Sequence, residues 1–83
     1  ASFEQSSERL ARHALKVMLA FALMERRQLD CKELPAFLAS LSFCQSVNAR
    51  YLGYENEALA QWLTTDLIRA GTIKNESGVL IAV

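Results

Sequence analysis

The sequence predicts a mainly helical α+β domain, with three or four helices followed by a C-terminal β-hairpin. Three observations carry this. Leu59, Leu63 and Leu67 recur in steps of four with Trp62 beside them, the spacing of one buried face of a helix. Gly71 follows that run, where a helix stop favours a residue free to adopt the left-handed conformation. Beyond it, two short segments, Thr72 to Lys74 and Val79 to Val83, flank a polar tip of Asn75, Glu76, Ser77 and Gly78, the pattern of two strands and a turn.

Taken in order, a first helix is expected to open at Ser6 or Ser7, whose hydroxyls suit an N-cap, and to run without a breaker to Gln28. Leu15, Leu19 and Leu23 mark one face. Leu10, Ala14, Met18 and Phe21 mark another, so the helix is expected to have neighbours on two sides. A second helix starts near Asp30, read as N-cap with Glu33 reaching back and Leu29 stapled to Leu34. Pro35 lacks an N–H and prefers a first turn, which places the alternative opening nearer Glu33. Phe37, Leu38 and Leu41 form the buried stripe of this helix. Ser42 to Tyr51 reads as a turn and a short helix ended by Gly53, and Glu55 or Asn56 opens the third long helix.

With 83 residues the chain has room for one core, so a single domain over residues 1–83 is expected, standing alone or as a piece of a longer protein. The hydrophobic fraction of 52% is high for so small a body, which leaves apolar surface for a partner to cover. Nine basic and nine acidic residues cancel, so no global field draws the chain to phosphate or to an anionic membrane. The apolar run from Val17 to Met24 is far short of the roughly 20 residues that span a bilayer. Two cysteines, Cys31 and Cys44, do not make a disulfide framework, and an intracellular setting, cytoplasmic or nuclear, is expected.

The last third of the chain resembles the end of winged-helix domains. The resemblance is at the level of the fold and is strongest over residues 56–83. It rests on the leucine-faced helix closed by Ile68, Arg69, Ala70 and Gly71, on Ile73 opening a strand, and on the polar tip with Gly78 before an apolar return strand. With the helix after Asp30 it extends loosely to two thirds of the chain. Winged helices also occur in multisubunit scaffolds such as proteasome-lid-type assemblies, so the resemblance admits DNA and protein partners alike.

In DNA-binding members the third helix enters the major groove and presents Arg, Lys, Asn or Gln to the bases. Here that helix carries Gln61, Thr65 and Arg69, but Glu55, Glu57 and Asp66 oppose approach to phosphate. A basic cluster, Arg9, Arg12, His13 and Lys16, lies at helical spacing on the first helix, and Tyr54 beside Gly53 is the aromatic expected to be exposed. Core packing is the expectation for Trp62.

Catalysis is not expected. His13 is the only histidine and no serine or cysteine stands at a recognisable spacing from it. Two cysteines and a distant histidine lack the pairing of a zinc site, and the three glycines are isolated. No cofactor, metal or membrane partner is therefore expected. The expected function is a non-enzymatic binding module for another protein, within a larger protein or assembly. Tyr54, Gln61, Thr65 and Arg69 form one contact surface in this reading, and Arg9, Arg12 and Lys16 a second. The alternatives are a DNA-binding transcriptional or replication regulator, and a structural homodimer in which the return strand or the apolar first helix pairs with its twin.

Overall fold

The computed structural model describes the backbone of residues 3–83 and side chains from residue 7 onward. The first helix, α1, spans Phe3–Arg26. Ser6 and Ser7 therefore lie inside it and do not cap it. No glycine or proline precedes them to stop the helix, and serine is tolerated in a helix interior at small cost. The helix ends at Arg27, which takes a left-handed φ of 75° and turns the chain into β1, Gln28–Asp30.

This strand was hidden in what reads locally as a helix start. Asp30 does act as a cap: its Oδ1 accepts from the Lys32 N–H at 2.9 Å. The turn it caps is a short 3₁₀ segment, Cys31–Glu33, and the regular helix α2 opens only at Leu34 and runs to Ser40 with Pro35 in its first turn. Both signals were real, and proline decided where regular geometry could begin. Leu29 and Leu34 are both buried, Leu29 from the strand and Leu34 from the helix. Asp30→Ala should cost about 0.5–2 kcal/mol, read by urea unfolding. A midpoint equal to the parent's would mean that the Lys32 N–H finds an equivalent acceptor in water.

After Leu41 comes α3, Ser42–Val47, which widens into a single π-helical turn over Asn48–Leu52. Helix α4 then covers Asn56–Arg69. Its end has the full Schellman pattern: the Gly71 N–H donates to Ile68 O and the Thr72 N–H to Leu67 O, both at 3.0 Å. Gly71 sits at φ 77°, the left-handed position such an ending requires.

The hairpin that follows pairs β2, Ile73–Glu76, with β3, Val79–Ala82. Glu76 stands opposite Val79, so the loop is only Ser77 and Gly78, at φ 55° and 86°. Two positive φ angles in a two-residue loop match the right-handed twist of the strands. The sheet has three strands, not two, in the order β1-β3-β2, all antiparallel, with Leu29 opposite Leu80. The return strand β3 is thus the centre of the sheet and has no free edge through which to pair with a twin. The Cys31 N–H, donating to Gly78 O at 2.8 Å, ties the 3₁₀ segment before α2 to the hairpin loop.

One core joins these elements. Leu15, Leu19 and Leu23 of α1 meet Leu34 and Leu38 of α2, Cys44 of α3, Leu59, Leu63 and Leu67 of α4, and Leu29, Ile73 and Leu80 of the sheet. Each fully buried leucine contributes about 1.5–3 kcal/mol relative to exposure. Four helices with a small antiparallel sheet are a mainly helical α+β fold.

Candidate functional site

Three surfaces bear the side chains that the sequence singles out. The first is the outer face of α4, where Gln61, Thr65 and Arg69 are exposed. A shallow groove separates this helix from the start of α2, with Leu34, Pro35 and Ala60 in its floor and Glu57, Gln61 and Thr65 along its edge. The Thr65 hydroxyl donates to Gln61 O at 2.9 Å and so is already engaged on its own helix. Glu57 occupies the first turn of α4 and Glu55 precedes it, where the positive end of the helix dipole would otherwise attract phosphate. Arg69 stands at the far end, in the last turn.

The basic cluster on α1 does not form one patch. Arg12 turns toward α4: its guanidinium donates to Glu8 Oε1 at 3.1 Å and to the Tyr54 hydroxyl at 2.6 Å, and it lies 5.2 Å from the Trp62 ring centroid. Lys16 reaches Asp66 of α4, with Nζ 3.9 Å from Oδ2. Arg9 is left exposed. Two of the three cations thus join α1 to α4, a use that residue spacing within one helix cannot reveal.

Tyr54 is likewise half-buried, against the expectation that it would be exposed. Its ring meets the edge of Trp62 with centroids 6.4 Å apart. Its backbone is clamped at both polar groups by Asn48, whose Nδ2 donates to Tyr54 O at 2.7 Å and whose Oδ1 accepts the Tyr54 N–H at 3.0 Å. Trp62 packs against the core, as its sequence neighbours implied. Gln45, another polar residue between Ser42 and Tyr51, donates through Nε2 to Leu38 O and to Asn56 Oδ1.

The third surface is the outward face of α1. Leu15, Leu19 and Leu23 are covered by the rest of the fold, but the opposite side is bare: Leu10 is 70% exposed, Phe21 66%, Met24 60% and Val17 41%. Among the described residues, nothing supplies the second neighbour expected from the sequence. Beside the stripe runs a groove of about 350 Å³ between α1 and the end of α4, lined by Val17, Ala20, Phe21 and Met24 on one side and by Leu67, Ala70 and Thr72 on the other. His13 and Lys16 stand at its margin.

The remaining reactive groups are dispersed. Burial pushes the Cys44 thiol above its usual pKa, which holds it protonated, and Cys31 is half-buried in the 3₁₀ segment before α2. Among the described residues no three His, Cys, Asp or Glu side chains gather as metal ligands, and no helix is long and apolar enough to cross a membrane.

The order helix, strand, helices, hairpin, with the first strand pairing onto the return strand, is a winged-helix-like layout. No family model matches the chain, and neither a curated protein nor a solved structure matches it.

Proposed function

We propose that the chain is a non-enzymatic binding module of winged-helix type that docks onto protein through the outward face of α1. The observation that carries the reading is the stripe Leu10, Val17, Phe21 and Met24, on the side of α1 opposite the core. Scattered exposed apolar residues are ordinary on a protein surface, whereas a contiguous row of large ones alongside an apolar groove marks an interaction surface. Phe21, the one aromatic in the row, is the natural central anchor, since aromatic side chains dominate interface energetics. Gln61, Thr65 and Arg69 on α4 form the polar second surface of this reading.

The charge distribution speaks against DNA. A duplex docked on the outer face of α4 would bring Glu55 and Glu57 toward phosphates with Arg69 as the one cation of that helix, while Lys16 and Asp66 answer each other between α1 and α4 and Arg12 is held by Tyr54. The test pairs two titrations. Mixed-sequence duplex should bind no tighter than the non-specific range of about 10⁻⁴–10⁻⁶ M at physiological salt. Proteins retained from an extract of the source cell by the immobilised chain should be lost with Phe21→Glu and kept with Glu76→Gln, an exposed position on the hairpin outside both surfaces. Tight duplex binding, with a sequence preference and a steep salt dependence, would install the regulator in place of the module. Retention indifferent to Phe21→Glu would move the docking site off α1.

A further inference from the structure

We propose that the partner covering the α1 face is a second copy of this chain, packed so that the two α1 helices run antiparallel about a two-fold axis between Ala14 and Val17. The inference rests on the reading of α1 as the docking face and names its occupant. Leu10, Ala14, Val17, Phe21 and Met24 follow one another in steps of four, three, four and three, the spacing of a helix seam that packs against another helix. Along an antiparallel pair of such seams, Leu10 of one copy meets Phe21 of the other, and Ala14 meets Val17. The small pair falls at the axis, where two crossing helices come closest, and the large pairs fall on either side, where the gap widens. One sequence therefore supplies both halves of a complementary surface, as a two-fold interface requires.

The edges of the seam are compatible with this arrangement. Beside the centre of the seam stand His13 and Ala20 on one side and Met18 on the other, with Ala11 buried in its own core, so no like charges meet there. Zero net charge adds no long-range repulsion between copies. The size is also sufficient. A stable pair needs roughly 800 Å² from each partner. At 1.5 Å per residue, α1 is about 36 Å long, nearly the whole 39 Å long dimension of the molecule, so its face can supply an area of that order. The other route to self-pairing, through the return strand, is closed because β3 is flanked by β1 and β2.

The test is sedimentation equilibrium of the full chain across concentration, with two variants chosen for the proposed pairing. The parent should reach twice its 9.3 kDa mass. Leu10→Glu and Phe21→Lys should each weaken the pair by about a hundredfold, as loss of an interface anchor does. Both positions are exposed, so each variant should keep the helical circular dichroism and melting temperature of a folded chain. Mixing the two variants should restore a dimer, because the antiparallel pairing sets the new glutamate against the new lysine. A parent that stays monomeric overturns the proposal; if Phe21→Glu still abolishes capture of other proteins, α1 remains the docking face and only its occupant was wrong. A dimer indifferent to both variants, or a mixture that does not restore one, also overturns it.

Discussion

Leu63→Ala and Leu67→Ala should each lower the stability of the domain by about 2–5 kcal/mol, the cost of deleting buried methyl groups and leaving the space unfilled. Leu63 is fully buried and Leu67 is 4% exposed. They lie one turn apart on the face of α4 that meets the common core of α1, α2 and the sheet. A domain of this size has a total stability of roughly 4–12 kcal/mol, so either change removes a large part of it. In thermal unfolding the loss should appear as a fall of roughly 10–30 °C. Leu63 should lie at the upper end, because its site is walled on all sides and collapses least, and Leu67 nearer the lower, beside the open groove toward α1. Melting within a degree or two of the parent for both would place α4 elsewhere and dismantle the fold described above.

The reason this helix was legible in the sequence is that its signals are local. Leucines in steps of four, Gly71 as a left-handed stop and a polar tip from Asn75 to Gly78 act over a few residues each, and the structure has a helix, a Schellman ending and a hairpin there, with Asn75 and Glu76 drawn into the strand and only Ser77 and Gly78 left in the loop. Strand β1 was not legible. Gln28, Leu29 and Asp30 are only three residues, and what makes them a strand is the distant β3, with Leu29 opposite Leu80. Asp30 and Leu29 also satisfy the pattern of a helix start, and both descriptions hold at once, since the strand runs directly into the capped turn.

For the candidate surfaces, spacing along one helix shows which charged residues share a face, but not which of them a second element engages. Arg12 and Lys16 form a basic row only if α1 is considered alone; with α4 in place they answer Tyr54, Glu8 and Asp66. The two apolar faces of α1 were visible in the sequence, but whether both are covered depends on how many neighbours the fold provides. Among the described residues it provides a cover for Leu15, Leu19 and Leu23 and none for Leu10, Phe21 and Met24. Asn48 carries no signal in the sequence, because its role lies in an internal clamp and an asparagine near Ser42, Gln45 and Ser46 looks like loop composition.

That clamp underlies the last expected result: Asn48→Ala should destabilise by roughly 2–5 kcal/mol, more than a polar residue in a short turn ordinarily would. Asn48 is 7% exposed, and its amide holds both polar groups of the Tyr54 backbone, accepting from the N–H and donating to the carbonyl. Alanine leaves that donor and acceptor unpaired, and each buried unsatisfied group costs about 1–3 kcal/mol. The Tyr54 ring and hydroxyl, which meet Trp62 and Arg12, then lose the support that positions them. Asn48→Asp separates the clamp from simple volume. A carboxylate still accepts the Tyr54 N–H but sets a negative oxygen against Tyr54 O, which disfavours the charged form and raises the pKa of the new carboxyl in the folded state above the unfolded value of about 3.9. The penalty should therefore be complete at pH 7, above the folded pKa, and should shrink as pH falls toward about 4, where the protonated carboxyl can donate to Tyr54 O as the amide does. Urea unfolding of variant and parent at matched pH provides the measurement. A deficit that is the same at both pH values would show that Asn48 acts by filling space, and that the Tyr54 backbone finds its partners elsewhere.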